Sequence, residues 1–160
     1  MKQTNKIIIG ASNYDDFKKV EDIYKPAFPN AKYIHVNNKT SEMIKYASNA
    51  MLTGQIALAN EIYQICQSIG VDYNTIKNAL LLDDRIAKNI TVPGHDGDLG
   101  YGGKCLPKDL NALIYLAREN LYRPYLLEEI WRLNERVRKN KDWLKITGAT
   151  SQNSFENKTC

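Results

Sequence analysis

From Thr40 to Ile69 no proline interrupts the chain, and one pattern runs the whole way. Ile44, Ser48, Met51, Gln55, Leu58, Ile62, Ile65 and Ile69 recur at alternating spacings of four and three, which makes one broad, mostly apolar helix face. Thr40 or Ser41 is a candidate N-cap, Glu42 suits the positive first turn, and Gly70 is a natural C-terminal stop. At roughly 1.5 Å per residue such a helix is about 45 Å long. A helix of that length outruns a small core. It is either the spine of one domain or a surface that packs on partner helices, and it makes the class mainly α.

The segment before it reads differently. Lys6-Ile7-Ile8-Ile9-Gly10 is a short buried strand ended by glycine. Ser12 or Asn13 can cap a helix from Tyr14 to about Lys25, carried by Phe17, Val20, Ile23 and Tyr24, and Pro26 and Pro29 end it. Ala31 to Val36 is a second strand, with His35 packed in its apolar run. Strand, helix and strand over this length make one parallel βαβ unit, which alone leaves two open sheet edges. Beyond the long helix, Asp72 or Asn74 caps a short helix through Leu82, Pro107 to Asn120 is a helix, and Pro124 to about Lys139 is another. The last has Leu126, Leu127, Ile130, Trp131, Leu133 and Val137 on its apolar side; Cys66, Trp131 and Trp143 read as packing residues, and Gly148 to Cys160 as a polar tail.

Composition narrows the function classes. With 43% hydrophobic and 25% charged residues the chain has a soluble globular balance, and no apolar run approaches the ~20 residues of a membrane span. Polar Lys2, Gln3, Thr4 and Asn5 leave no signal-peptide core after Met1. The net charge of +4 is mild; Arg132, Arg136, Arg138, Lys139 and Lys141 read as a solvated helix face and give nucleic acid little support. Cys66, Cys105 and Cys160 are an odd count without framework spacing, which fits a reduced, cytoplasmic compartment. His35 and His95 are far apart and no CxxC occurs, so no metal is expected.

The chemistry concentrates in Gly100-Tyr101-Gly102-Gly103-Lys104-Cys105-Leu106-Pro107-Lys108-Asp109. The glycines allow a sharp turn and close approach of a ligand, and Pro107 suits the start of a helix. Cys105 then lies where a glycine loop meets a helix N-terminus, between Lys104 and Lys108, an arrangement that stabilises a thiolate and makes a nucleophile. The plain alternative is a small buried side chain. Lys45 and Asn49, four apart on the long helix, share a face and read either as a surface pair or as donors to an oxyanion. Asp83-Asp84-Arg85 reads as a local ion pair.

The loop Val92-Pro93-Gly94-His95-Asp96-Gly97-Asp98-Leu99, the G-Y-G-G-K-C-L-P-K-D that follows it, and the helix stretch from Glu42 to Ala50 resemble the UDP-glucose/GDP-mannose dehydrogenase family. The Pro107-Lys108-Asp109 after the cysteine resembles the UDP-glucose branch more than the branch acting on UDP-N-acetylmannosamine. The resemblance implies a short βαβ remnant of a Rossmann sheet at 1–38, an all-α central domain built on the long helix at 39–145, and a tail at 146–160. No Gly-x-Gly-x-x-Gly follows a strand; Gly10-Ala11-Ser12 falls short. The start of the NAD domain and the carboxy-terminal UDP domain would therefore be supplied elsewhere.

The resemblance also implies roles. Oxidation of UDP-glucose to UDP-glucuronate uses NAD, with Cys105 passing through a thiohemiacetal and a thioester. Lys45 and Asn49 would stabilise oxyanions, Asp109 would assist proton transfer, and Tyr101, Gly102 and Gly103 would shape the sugar pocket. Arg85 would reach the nucleotide diphosphate of a neighbouring subunit, and Lys108 would lie near the cofactor. The expected partners are a UDP-sugar, a second copy through the long helix and, as an open alternative, a separate chain carrying the NAD and UDP domains; no membrane is expected. The chain by itself is not expected to turn over. A second class stays open: a helical dimerisation module, or a subunit of a split enzyme, without chemistry of its own. An unrelated cysteine hydrolase would have only His95 as a nearby base.

Overall fold

The structure is a computed structural model that describes residues 5–147, so the Gly148–Cys160 tail lies outside the described residues. The chain divides into two compact units, Met1–Ala47 and Ser48–Cys160. In the first, strand β1 (Lys6–Gly10), helix α1 (Tyr14–Tyr24) and strand β2 (Lys32–Val36) form the expected parallel βαβ unit, with Lys6 opposite Lys32 and Gly10 opposite Val36. Asn13 is the cap: its extended backbone turns its Oδ1 to accept from the Asp16 N–H at 2.8 Å. Ile9 and Phe17 are buried, and the His35 ring stacks on Phe17 at 5.0 Å between centroids, a packing role. Ile7, Ile8 and Ile9 with Val20, Tyr24 and Phe28 line an apolar hollow on this small unit.

Helix α2 (Asn38–Ser68) begins in the first unit and supplies the second with core residues. Its start lies before Thr40 because Asn37 caps it; the Asn37 side chain accepts from the Thr40 N–H at 2.8 Å. The face buried in the second unit is Ala50, Thr53, Ala57 and Asn60. Small residues stand there because a neighbouring helix comes close: a Cβ on Gly54 would lie 3.5 Å from the Ile130 side chain. Met51, Leu58 and Ile65 of the apolar series are exposed by half or more, whereas Ile62 packs against a buried cluster.

After α2 come α3 (Tyr73–Leu80), capped by Asp72, then α4 (Cys105–Glu119), α5 (Tyr125–Val137) and a 3-10 turn (Asp142–Lys145). The main core gathers Tyr101, Leu110, Ile114, Ile130, Trp131 and Trp143; the two indoles meet edge to face at 5.4 Å. A second cluster holds Ala59, Cys66, Tyr73 and Val92. The basic run at the end of α5 is not all solvated surface. Arg138 is 3% exposed and faces inward, because the loop before α4 supplies its partners. No helix among the described residues is long and apolar enough to cross a membrane.

Candidate active site

Helix α4 starts at Cys105, two residues ahead of Pro107. Pro107 is tolerated inside the first turn because N–H groups there have no intrahelical partner. The Lys108 N–H reaches back to the Lys104 carbonyl at 3.2 Å. Cys105 is thus the first helical residue, a free thiol on the surface, while Cys66 is the buried one. No side-chain hydrogen bond caps this end of α4, so Cys105 stands at the positive end of the helix dipole, beside the N–H groups of the first turn.

Asp109 lies one turn further along α4, on the same face as Cys105. Its carboxylate is fully buried, accepting from Asn49 Nδ2 at 2.5 Å and from Lys108 Nζ at 2.5 Å. The expected Asn49 and Asp109 therefore come together, with Lys108 joined to them. A buried carboxylate with an amide and an ammonium bonded to it has a fixed geometry.

The glycine loop is held by polar side chains that sequence reading had not marked as site residues. Gly100 N–H donates to Asn60 Oδ1 at 2.9 Å. Tyr101 N–H donates to Asn134 Oδ1 at 2.7 Å, and Asn134 Nδ2 donates back to the Tyr101 carbonyl at 2.9 Å. Gly103 N–H donates to Asp142 Oδ2 at 2.9 Å. Arg138 donates to the Leu99 carbonyl at 3.3 Å and to Asp96 at 2.6 Å, and this hydrogen bond holds the Asp96 carboxyl below its ordinary range. Burial opposes the charge on Asp98, but N–H bonds from Asn140, Leu99 and Lys139 outweigh it and hold that carboxyl low as well. A signal existed for Asn134: it interrupts the Ile130–Val137 stripe of α5 at a buried position.

The glycines now divide by purpose. A Cβ on Gly100 would overlap the Asn134 amide, and one on Gly102 would overlap the Arg138 guanidinium and come to 2.6 Å from Asp142 Oδ1. Only Gly103 of the three has open space there. Gly100 also has φ +67°, a left-handed backbone. Gly100→Ala is expected to cost about 1–2 kcal/mol from that conformation before the overlap is counted. Urea denaturation reads it, and an unchanged midpoint would contradict the account.

Lys45 belongs to the first unit, where its ammonium lies 5.5 Å over the Tyr46 ring. Arg85 is exposed and pairs with Asp83 at 2.6 Å, the local ion pair foreseen from the sequence. The Tyr101 ring is in the main core, its hydroxyl is buried without a hydrogen-bond partner, and burial pushes its titration upward.

Comparison with known proteins adds a second line. The description "UDP-glucose/GDP-mannose dehydrogenase family, central domain" matches residues 39–136. The chain is 33% identical to the UDP-glucose 6-dehydrogenase TuaD of Bacillus subtilis over 83% of its own length and 28% of that protein's. It is 35% identical to the UDP-glucose 6-dehydrogenase AglM of Haloferax volcanii, over 82% and 30%. A UDP-glucose dehydrogenase structure from Pyrobaculum islandicum superimposes with a TM-score of 0.72 at 31% identity, over 82% of this chain and 29% of that one. The chain thus spans less than a third of the length of these relatives.

Proposed function

The chain belongs to the UDP-glucose/GDP-mannose dehydrogenase family, and from that membership we propose that it carries the cysteine-bearing core of a nucleotide-sugar dehydrogenase acting on UDP-glucose. The observation that carries the reading is Cys105, an exposed free thiol opening α4 one turn above the buried Asp109. The thiolate adds to a C6 aldehyde, the carbonyl pair moving to oxygen, and Asn49, with Lys45 one turn earlier on the same helix, is the proposed donor set for the oxyanion; loss of a hydride from the resulting thiohemiacetal to NAD would leave the thioester. Asp109 moves the proton from the water that opens the thioester to the carboxylate. Gly103 gives the sugar room to approach, and Arg85 has the guanidinium fork for a diphosphate of a neighbouring copy. Lys108 stands beside the cofactor side of the site.

The oxidation itself needs NAD, and the described βαβ turn does not suit a dinucleotide. The one βαβ turn enters α1 with the N-terminus already capped by Asn13 and with Asp15 and Asp16 in the first turn, where a pyrophosphate would be repelled. A Cβ on Gly10 would overlap Ser41 and press on Asn38, so that glycine is filled against α2. We therefore take residues 1–38 as a remnant of a Rossmann sheet, 39–145 as the central domain, and the NAD and UDP sites as completed by residues outside this sequence. A homodimer through the exposed α2 face and a reducing, cytoplasmic setting complete the reading. A dimerisation module without chemistry is the second reading, favoured by the same α2 face.

Iodoacetamide labelling at neutral pH separates the two. Because Cys66 is buried, the reference is Cys105 in the urea-unfolded chain. The catalytic reading expects folded Cys105 to alkylate faster than that reference, and NADH not to accumulate when the chain alone is mixed with UDP-glucose and NAD. A folded rate no higher than the unfolded one overturns the nucleophile, and steady NADH production overturns the division of labour.

A further inference from the structure

The peptide units just before Cys105 are fixed one after another by side chains from the end of α5 and the turn beyond it. Asn134 is 1% exposed and bonds both the N–H and the carbonyl of Tyr101. Two bonds to one residue set the orientation of its peptides as well as their position. Asp142 takes the Gly103 N–H at 2.9 Å, two residues before the sulfur-bearing position. The α4 end has no side-chain cap of its own, so the placement of Cys105 is inherited from this loop. Glycines at 100 and 102 are what let the two holders, with Arg138 between them, come this close.

We infer that Asn134 and Asp142 are positioning residues for Cys105, aiming its sulfur across the N-terminus of α4 through hydrogen bonds to the Tyr101 and Gly103 backbone. The inference rests on Cys105 as the nucleophile. Neither residue touches a reacting group; they act through the loop. Losing either bond lets the first turn of α4 loosen and the thiol drift from the helix N-terminus.

The test compares Asp142→Ala with Asp142→Asn in the full chain. Both remove the same charge, so electrostatics on the thiol change alike. Only asparagine keeps an oxygen for the Gly103 N–H. Cys105 alkylation by iodoacetamide, read by peptide mass with Cys66 as the internal reporter of unfolding, is expected to be about fivefold slower in the alanine variant. That is the size of effect a helix N-terminus has on a nearby anion. Asparagine is expected to restore most of the wild-type rate. Asn134→Ala is expected to slow Cys105 by a similar factor. Equal Cys105 rates in the two Asp142 variants, with Cys66 protected in both, overturn the inference. If folded wild-type Cys105 does not outpace Cys105 of the urea-unfolded chain, the nucleophile itself is overturned, a result visible before any variant is made. If Asn134→Ala exposes Cys66, the Asp142 pair decides alone, since the Asp142 side chain is 32% exposed and outside the apolar core.

Discussion

Trp143→Ala is expected to lower stability by about 3–5 kcal/mol, the range for deleting a buried indole. Trp143 is 1% exposed, although it lies past the last long helix in a short 3-10 turn. Its ring closes the main core edge-on to Trp131, beside Leu110 and Ile114. Truncation leaves a cavity that α4 and α5 cannot close without moving the turn that carries Asp142. Urea unfolding followed by circular dichroism measures the loss, with a melting-temperature drop on the order of 10 °C for a domain of this size. A loss below about 1 kcal/mol, the level of an ordinary surface change, would mean the turn is not part of the core.

Leu58→Asp is expected to convert a dimer into a monomer at micromolar concentration. Met51, Leu58 and Ile65 recur at seven-residue spacing along α2 and stand exposed together, with Ile69 beyond them. Covering one such side chain is worth about 1.5–3 kcal/mol, and a buried carboxylate would add a further penalty. A change of about 3 kcal/mol is more than a hundredfold in dissociation constant. Light scattering across a concentration series reads it directly. Leu126→Asp, on an exposed position of α5, serves as the control and should leave the mass unchanged. A wild-type chain that stays monomeric at tens of micromolar would remove the α2 interface from the proposal.

What the sequence made legible was local. β1, α1 and β2 were readable because prolines, a cap and short apolar runs act within a few residues. The junction of glycine loop and helix at Cys105 was readable for the same reason, to within the two residues ahead of Pro107. Side-chain size did not show which residues of α2 are buried in the second unit. Isoleucine, leucine and methionine marked the conspicuous face, whereas close approach of helices put alanine, threonine and asparagine inside. Arg138 was unreadable because its partners are distant in the chain; Asp96 lies 42 residues earlier. A run of arginine and lysine carries no sign of which member a remote loop will claim. Asn134 was the intermediate case, a polar residue set in an apolar stripe.

The interlock of Gly100 and Gly102 with Asn134 and Arg138 has a consequence for anyone borrowing this segment. The ten residues around the thiol are not a portable cassette: their curvature is stored in a different helix, encoded some thirty positions downstream. Grafted onto another scaffold without that helix, the same letters would spell an ordinary flexible turn.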